Sequence, residues 1–223
     1  METVTIDIVS DVVCPWCYLG KARLEKALAE VAGEVSAEIN WRPYQLNPDY
    51  PPEGVDQQAA LAVKLGGKEN MDRAHETLRL LGEEVGIHFN FDAIKIGPNT
   101  MDAHRLLLWA HTEGREMQNR VAGLLFKANF EEGRNVGDHA VLLDIAAEAG
   151  LDRAVIARLL ASDADKDMIR KEIDQAARMG VTGVPFFVFE QKYAVSGAQT
   201  PELLASALKD IARMKAETRK AAH

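Results

Sequence analysis

The chain has 223 residues, of which 47% are hydrophobic, so it can bury the core of one compact unit or of two closely joined ones. Its 26 lysines and arginines stand against 34 aspartates and glutamates, a formal net charge of −8 that argues against nucleic acids and anionic membranes as partners. The first residues form neither a basic nor an apolar segment, and no apolar run reaches the length of a membrane span, so the sequence predicts a cytosolic protein.

The amino-terminal stretch predicts a strand, a cysteine pair and a helix in direct succession. Residues 4–9 are few and rich in β-branched side chains, as buried strands are. Residues 21–31 are rich in strong helix formers and carry one apolar face. Between them lie Cys14 and Cys17, the two cysteines of the chain. The pair is therefore predicted where a strand turns into a helix.

This position favours redox chemistry. The first turn of a helix presents unpaired N–H groups and a partial positive charge, which stabilise an anion such as a thiolate. With Cys14 at the N-cap and Pro15 at the first helical position, Cys14 should ionise more readily than a free cysteine and act as a nucleophile. Cys17, one turn further on, would lie within reach of a mixed disulfide at Cys14 and resolve it.

Half of a zinc site and two buried structural thiols are the alternative explanations of the pair. Zinc takes about four ligands, yet the chain has no second cysteine pair and its six histidines lack ligand spacing. A cytosolic protein with two cysteines does not use disulfides to hold its fold together, which leaves a catalytic or sensing role. The strand-to-helix context favours the redox interpretation, and no metal site is expected.

The next part of the chain predicts a second strand and then a series of helices. Apolar residues alternate in residues 35–47, which predicts a strand that completes a β-α-β unit of parallel strands. Proline and glycine in residues 47–54 mark a boundary. From residue 55 to 179 the apolar spacing of three and four predicts an almost wholly helical insertion. Helices are predicted at residues 59–65, 69–85, 101–112, 121–130, 139–149, 153–160 and 163–179, with an extended connection at 87–91 and a capping box at Ser162 and Asp165.

After Gly180 the pattern returns to strand. Residues 186–189 and 193–195 read as two short strands joined by a turn at Gln191 and Lys192, which predicts an antiparallel hairpin. A helix follows over residues 201–215. The chain thus begins β-α-β and ends β-β-α, so we expect residues 1–54 and 180–223 to form one small domain into which residues 55–179 are inserted.

This order of elements, with Cys-Pro-Trp-Cys at the first helix, resembles the thioredoxin fold of the DsbA family. Five segments along nearly the whole chain resemble in particular the FrnE-like branch, which is related to 2-hydroxychromene-2-carboxylate isomerases. They are residues 10–20, 41–48, 99–100 with 103–106, 183–188 and 195–199. The resemblance implies an α/β protein, a thioredoxin fold with a large all-helical insertion, that acts as a thiol–disulfide oxidoreductase or isomerase.

The same resemblance implies a cis peptide bond between Val184 and Pro185, in a loop packed beside the cysteines. From the local stretch alone, a trans proline at the start of an edge strand is the simpler interpretation. In the implied geometry Val184 would offer backbone groups to an extended substrate, with Pro15 and Trp16 beside it. Because Trp16 carries no positive charge, the pair should be less oxidising than in family members with histidine between the cysteines.

The remaining candidates each have two interpretations. Thioredoxins carry a buried acid six residues before the first cysteine, where this chain has Ile8; Asp11 is the better candidate proton acceptor for Cys17, although a surface aspartate in a turn is the simpler interpretation. His104 is expected to be a core histidine. Residues 196–199 could hold a carboxylate such as that of glutathione or form a plain helix cap. Three aromatic pairs could line a groove but are more typical of a core: Trp41 with Tyr44, Phe89 with Phe91, and Phe126 with Phe130.

Cys14 is therefore predicted to attack a substrate disulfide and Cys17 to release the product, with protein or small-molecule thiols and disulfides as partners. No cofactor is expected to stay bound; glutathione is a candidate co-substrate or reductant, and a homodimer is one option for the assembly. Two other functions stay open. One is a glutathione-dependent isomerase or transferase acting on a small aromatic molecule, although those relatives carry serine in place of Cys14. The other is a redox-sensing protein whose insertion binds a partner.

Overall fold

Strands near both ends of the chain enclose a long helical stretch in the computed structural model, which describes residues 1–221. In chain order the elements are β1 (Glu2–Ser10), α1 (Pro15–Glu30), β2 (Val35–Pro43), β3 (Val55–Asp56), α2 (Gln57–Lys64), α3 (Lys68–Glu83), a 3-10 helix (Phe91–Ala93), β4 (Ile96–Gly97), α4 (Met101–Thr112), α5 (Arg115–Phe130), α6 (His139–Ala149), α7 (Arg153–Leu160), α8 (Lys166–Arg178), β5 (Phe186–Phe189), β6 (Tyr193–Ser196) and α9 (Pro201–Ala221). None of the helices within residues 1–221 combines the length and the apolar character that crossing a bilayer requires.

The main sheet joins the two ends of the chain. Its strand order is β2-β1-β5-β6, with β1 parallel to β2 and antiparallel to β5, and β5 antiparallel to β6. Helix α1 connects the parallel strands, and a turn at residues 190–192 connects the last two. The predicted β-α-β unit and the predicted hairpin are therefore confirmed, and with them the α/β fold class.

Strand β1 divides its side chains between the two faces of the sheet, as a pleated strand must. Ile6 and Ile8 are buried in the main hydrophobic core, together with Leu24 of α1. Asp7, between them, points to the other face, where its carboxylate accepts a 3.0 Å hydrogen bond from Nε of Arg42. One face of β1 therefore lies in the main core, and the other combines the charged Asp7 with Val9, which packs against Ala176 of α8.

The same core continues into the helical stretch through helix α5. Phe126 stacks on Tyr18 of α1, with ring centroids 5.3 Å apart, and meets Trp41 of β2 edge-on at 5.8 Å. The Gln118 side chain accepts from the backbone N–H of Trp41 at 2.9 Å and donates to its C=O at 3.1 Å. It therefore completes the hydrogen bonds of the Trp41 backbone at the outer edge of β2. Because one core spans both parts, the division into residues 1–54 with 180–223 and an inserted domain at 55–179 stays a prediction.

Several details differ from the sequence-based expectations. The insertion is not wholly helical, because β3 and β4 form a short antiparallel pair within it. Strand β2 ends at Pro43 rather than at residue 47. The predicted capping box at Ser162 and Asp165 is wrong. Helix α8 begins at Lys166, and the Ser162 hydroxyl donates to the C=O of Leu159 instead of capping a helix. The reason is Arg105, which is fully buried and donates to the carbonyl oxygens of Leu159, near the end of α7, and of Ser162 and Ala164, in the turn that separates α7 from α8.

Candidate active site

Cys14 occupies the N-cap of α1. Its backbone is extended (φ −94°, ψ 112°), Pro15 follows as the first helical residue, and the C=O of Cys14 accepts from the N–H of Cys17 at 3.0 Å. The N–H of Cys14 donates to the C=O of Asp11 at 3.0 Å, which closes the turn before the helix. The predicted position of the pair, between β1 and α1, is confirmed.

The two thiols are free and have different surroundings. Cys14 is 5% exposed and Cys17 is 1% exposed. Burial raises the pKa of the Cys17 thiol well above its usual value, and the neighbouring Cys14 raises that pKa further, whereas the Ser10 hydroxyl and the Asp11 N–H lower it. Cys17 therefore holds its proton at neutral pH and is suited to react second.

The loop before β5 lies against Cys14. Its Val184–Pro185 peptide bond is cis, and Sγ of Cys14 donates to the carbonyl oxygen of Val184 at 3.5 Å. Pro185 is buried against α1: a Cβ added to Gly20 would lie 3.0 Å from Cγ of the proline ring. Residues separated by 170 positions in the sequence thus meet at the start of α1.

Pro15 and Trp16 form the outward-facing part of this region. Pro15 is partly buried, and the Trp16 side chain, next to it on the first turn of α1, is 41% exposed. A large exposed aromatic side chain on the same helix turn as the Cys14 thiol offers apolar surface to a bound molecule. The substrate-binding roles assigned to Val184, Trp16 and Pro15 stay predictions.

Asp11 corrects one expectation. It is 0% exposed, so the interpretation as a surface aspartate is wrong. Its Oδ2 accepts from the N–H of Leu46 at 2.8 Å, and its Oδ1 lies 3.4 Å from Nε2 of His104. Burial of Asp11 arises from residues far along the chain, which the local turn pattern does not reveal. His104 is 2% exposed and donates to the C=O of Tyr44 at 2.8 Å, which confirms it as a core histidine.

Two N–H groups of the turn after β6 are engaged within the protein. The N–H of Gly197 donates to the C=O of Pro185 at 2.8 Å, and the N–H of Gln199 donates to the C=O of Gly197 at 3.0 Å. The turn is thus hydrogen-bonded to the Pro185 loop, and the carboxylate-binding and helix-cap interpretations of residues 196–199 both stay predictions. The aromatic residues offered as a groove lining are core residues instead, apart from the partly buried Tyr44: Trp41, Phe89, Phe91, Phe126 and Phe130.

Ser10 was not singled out from the sequence. It is buried beside Cys17, and its hydroxyl lowers the pKa of that thiol without making a hydrogen bond of normal geometry. A serine at the end of a strand carries no periodicity signal, so only the folded turn reveals this neighbour. Among residues 1–221, no group of three or more His, Cys, Asp or Glu side chains is arranged to hold a metal ion.

Known proteins resemble the chain over nearly its whole length. A family model described as DSBA-like thioredoxin domain matches residues 5–209. The Bacillus subtilis (strain 168) protein YwbO is 30% identical over 216 residues, which cover 96% of this chain and 100% of YwbO.

Solved structures agree with that match. The Streptomyces coelicolor protein SCO1869, a probable DsbA oxidoreductase, has a TM-score of 0.84 and 33% identity over 93% of this chain and 89% of its own. A 2-hydroxychromene-2-carboxylate isomerase, with a TM-score of 0.72 and 18% identity over 96% and 98% of the two chains, shares the fold alone. Because the family model covers nearly the whole chain and a relative and a solved structure agree with it, the chain belongs to the DsbA-like thioredoxin family, as the resemblance implied.

Proposed function

We propose that this protein is a thiol–disulfide oxidoreductase in which Cys14 is the nucleophile and Cys17 the resolving thiol. The observation that supports the proposal best is the position of Cys14. It caps a helix N-terminus, where a thiolate is stabilised, and its Sγ lies 3.5 Å from the backbone of Val184, where an extended substrate can bind. Membership of the family supports the same reaction class.

The reaction has two exchange steps. The Cys14 thiolate attacks one sulfur of a substrate disulfide, the substrate S–S bond breaks, and the other sulfur leaves as a thiolate that takes up a proton. Cys17 then loses its proton and attacks Sγ of Cys14. The second substrate thiolate leaves, and a Cys14–Cys17 disulfide forms. The substrate gains two electrons and the protein loses two, so an external thiol such as glutathione must restore the dithiol.

The isomerase alternative receives no separate support. The isomerase structure is 18% identical to this chain, which shows a common fold and not a common reaction. An isomerase that uses the thiol of bound glutathione needs no cysteine of its own at this position, whereas this chain has Cys14 there. We place the proposed exchange in the cytosol, because a reducing compartment keeps the dithiol available.

Replacement of each cysteine tests the proposal. Cys14→Ser should abolish the reduction of insulin disulfides in a glutathione-coupled assay, because the attacking thiolate is lost. Cys17→Ser should retain the first step and accumulate a mixed disulfide with the substrate, because no internal thiol resolves it. Non-reducing electrophoresis and mass spectrometry measure that adduct.

The double variant Cys14→Ser/Cys17→Ser is the matched control and should form no adduct. Turnover by Cys14→Ser at the wild-type rate would contradict the proposal. An adduct that forms at Cys17 in preference to Cys14 would reverse the assigned roles.

A further inference from the structure

We propose that His104, contributed by helix α4 of the predicted insertion, is a positioning residue for the nucleophile: it holds the Asp11 carboxylate and thereby fixes the turn that carries Cys14. The inference rests on the proposed function, in that it concerns the reactivity of Cys14 toward disulfides. It gives the inserted helices a direct effect on a site built by the first and last parts of the chain.

A continuous chain of contacts leads from His104 to Cys14. Nε2 of His104 lies 3.4 Å from Oδ1 of Asp11, and the C=O of Asp11 accepts from the N–H of Cys14 at 3.0 Å. The other carboxylate oxygen, Oδ2, accepts from the N–H of Leu46 at 2.8 Å. Asp11 thus links three parts of the chain: the turn before α1, the loop after β2 and the first helix turn of α4.

His104 also fixes the loop after β2. Its Nε2–H donates to the C=O of Tyr44 at 2.8 Å, and the N–H of Tyr44 donates to the C=O of Ser10 at 3.0 Å. One imidazole therefore acts on the two residues that precede the turn, on Asp11 directly and on Ser10 through Tyr44. A displacement of His104 moves the start of the turn that leads to Cys14.

Burial makes the pairing necessary. Asp11 is 0% exposed, and its Oδ1 has no hydrogen bond of normal geometry, so the imidazole is the polar group that faces this oxygen. A buried carboxylate oxygen that faces no polar group is unfavourable, so without the imidazole the Asp11 side chain should shift from its position. Such a shift changes the turn whose C=O accepts from Cys14.

Helix α4 offers a rigid support for His104. The next residue, Arg105, is fully buried and makes hydrogen bonds to Asp102, Leu159, Ser162 and Ala164. On the side of Asp11, the titratable groups are the two cysteines. On the side of His104, Arg42, His111 and Glu172 line a cavity of about 60 Å³ together with the imidazole.

The test measures the rate at which Cys14 attacks a small aromatic disulfide, in a Cys17→Ala background that leaves one thiol. His104→Leu should slow this attack roughly tenfold, because a nucleophile that is misplaced by a fraction of an ångström loses alignment. His104→Gln, whose amide N–H reaches the same two oxygens, should restore the rate to within about twofold. His111→Leu, on the same helix and beside the same cavity, is the control and should leave the rate unchanged.

A double-variant cycle tests whether His104 acts on Cys14 through Asp11 or stabilises the site independently of it. If His104 acts through Asp11, Asp11→Asn/His104→Leu should be no slower than Asp11→Asn alone. Full addition of the two effects, or a wild-type rate for His104→Leu, would overturn the proposal. Should His104→Leu fail to fold, His104→Asn, whose shorter amide does not reach Asp11, takes its place with the same expected slowing. The assay requires no turnover, so a protein that failed to reduce protein disulfides would still answer this question.

Discussion

The two cysteines are one helix turn apart, yet their surroundings give them different parts in the proposed exchange. Cys14 begins the helix and touches the loop at Val184, whereas Cys17 lies inside the first turn with Ser10 beside it. Burial favours the neutral thiol of Cys17 over its thiolate. The resolving step therefore has to wait for a proton to leave a buried group, which makes this step sensitive to pH.

The rate of that step should rise with pH. In the mixed disulfide the Cys14 thiol is consumed and no longer raises the pKa of Cys17, but burial still does, so the thiolate fraction and the rate should keep rising from neutral pH into the alkaline range. The rate is the concentration-independent phase that follows rapid mixing of the reduced protein with excess small disulfide. Ser10→Ala should slow this phase at every pH in the range, because it removes a hydroxyl that favours the thiolate. A plateau near neutral pH would contradict the raised pKa.

At the scale of elements, helix α4 holds the connection between α7 and α8 through one buried side chain. Arg105→Met should lower the free energy of unfolding by about 3 to 5 kcal/mol, because the change leaves Oδ1 of Asp102 and three partly buried carbonyl groups without the guanidinium that donates to them. Urea unfolding followed by circular dichroism measures the loss.

Arg153→Met is the matched control for that change. Arg153 is about half exposed and pairs with Asp144 on the surface, so its replacement should cost about 1 kcal/mol or less. Equal losses for the two variants would show that the buried hydrogen bonds of Arg105 add nothing beyond a surface ion pair.

Elements with local end signals were predictable from the sequence. Helices α6 and α7 begin and end as predicted because their N-caps act locally: Asp138 accepts from the N–H of Ala140, and Asp152 accepts from the N–H of Ala154. Gly150 ends α6 in the left-handed conformation that suits glycine. The start of α8 was not predictable, since a distant arginine, rather than a serine nearby, decides where that helix begins.

At the scale of the whole molecule, some features of the candidate site follow from local sequence and others depend on residues far along the chain. The strand-to-helix position of Cys14 follows from local pattern and is confirmed. The contact between Cys14 and Val184 joins residues near opposite ends of the chain, and only the family resemblance pointed to it. The burial of Asp11 arises where the first turn, the loop after β2 and α4 meet, so no single stretch of sequence carries its signal.

One hydrophobic core joins the two parts of the chain, so they should unfold together. Phe126 of α5 is 0% exposed and contacts both Tyr18 of α1 and Trp41 of β2. Phe126→Ala should lower the free energy of unfolding by about 3 to 5 kcal/mol, because it opens a cavity in this shared core. Tryptophan fluorescence and far-ultraviolet circular dichroism should report one coincident transition before and after the change.

Two independent units would behave differently in the same experiment. If residues 55–179 folded as a separate domain, Phe126→Ala would weaken that domain alone, and the two probes would separate into two transitions. Exposed Leu80 on α3 provides the control: it is 57% exposed, so Leu80→Ala removes an apolar side chain of similar kind without opening a cavity and should change the free energy of unfolding by less than about 0.5 kcal/mol. Coincident transitions that shift only with Phe126→Ala would show that the sheet and the helices depend on one core, and that the site at their junction is built cooperatively.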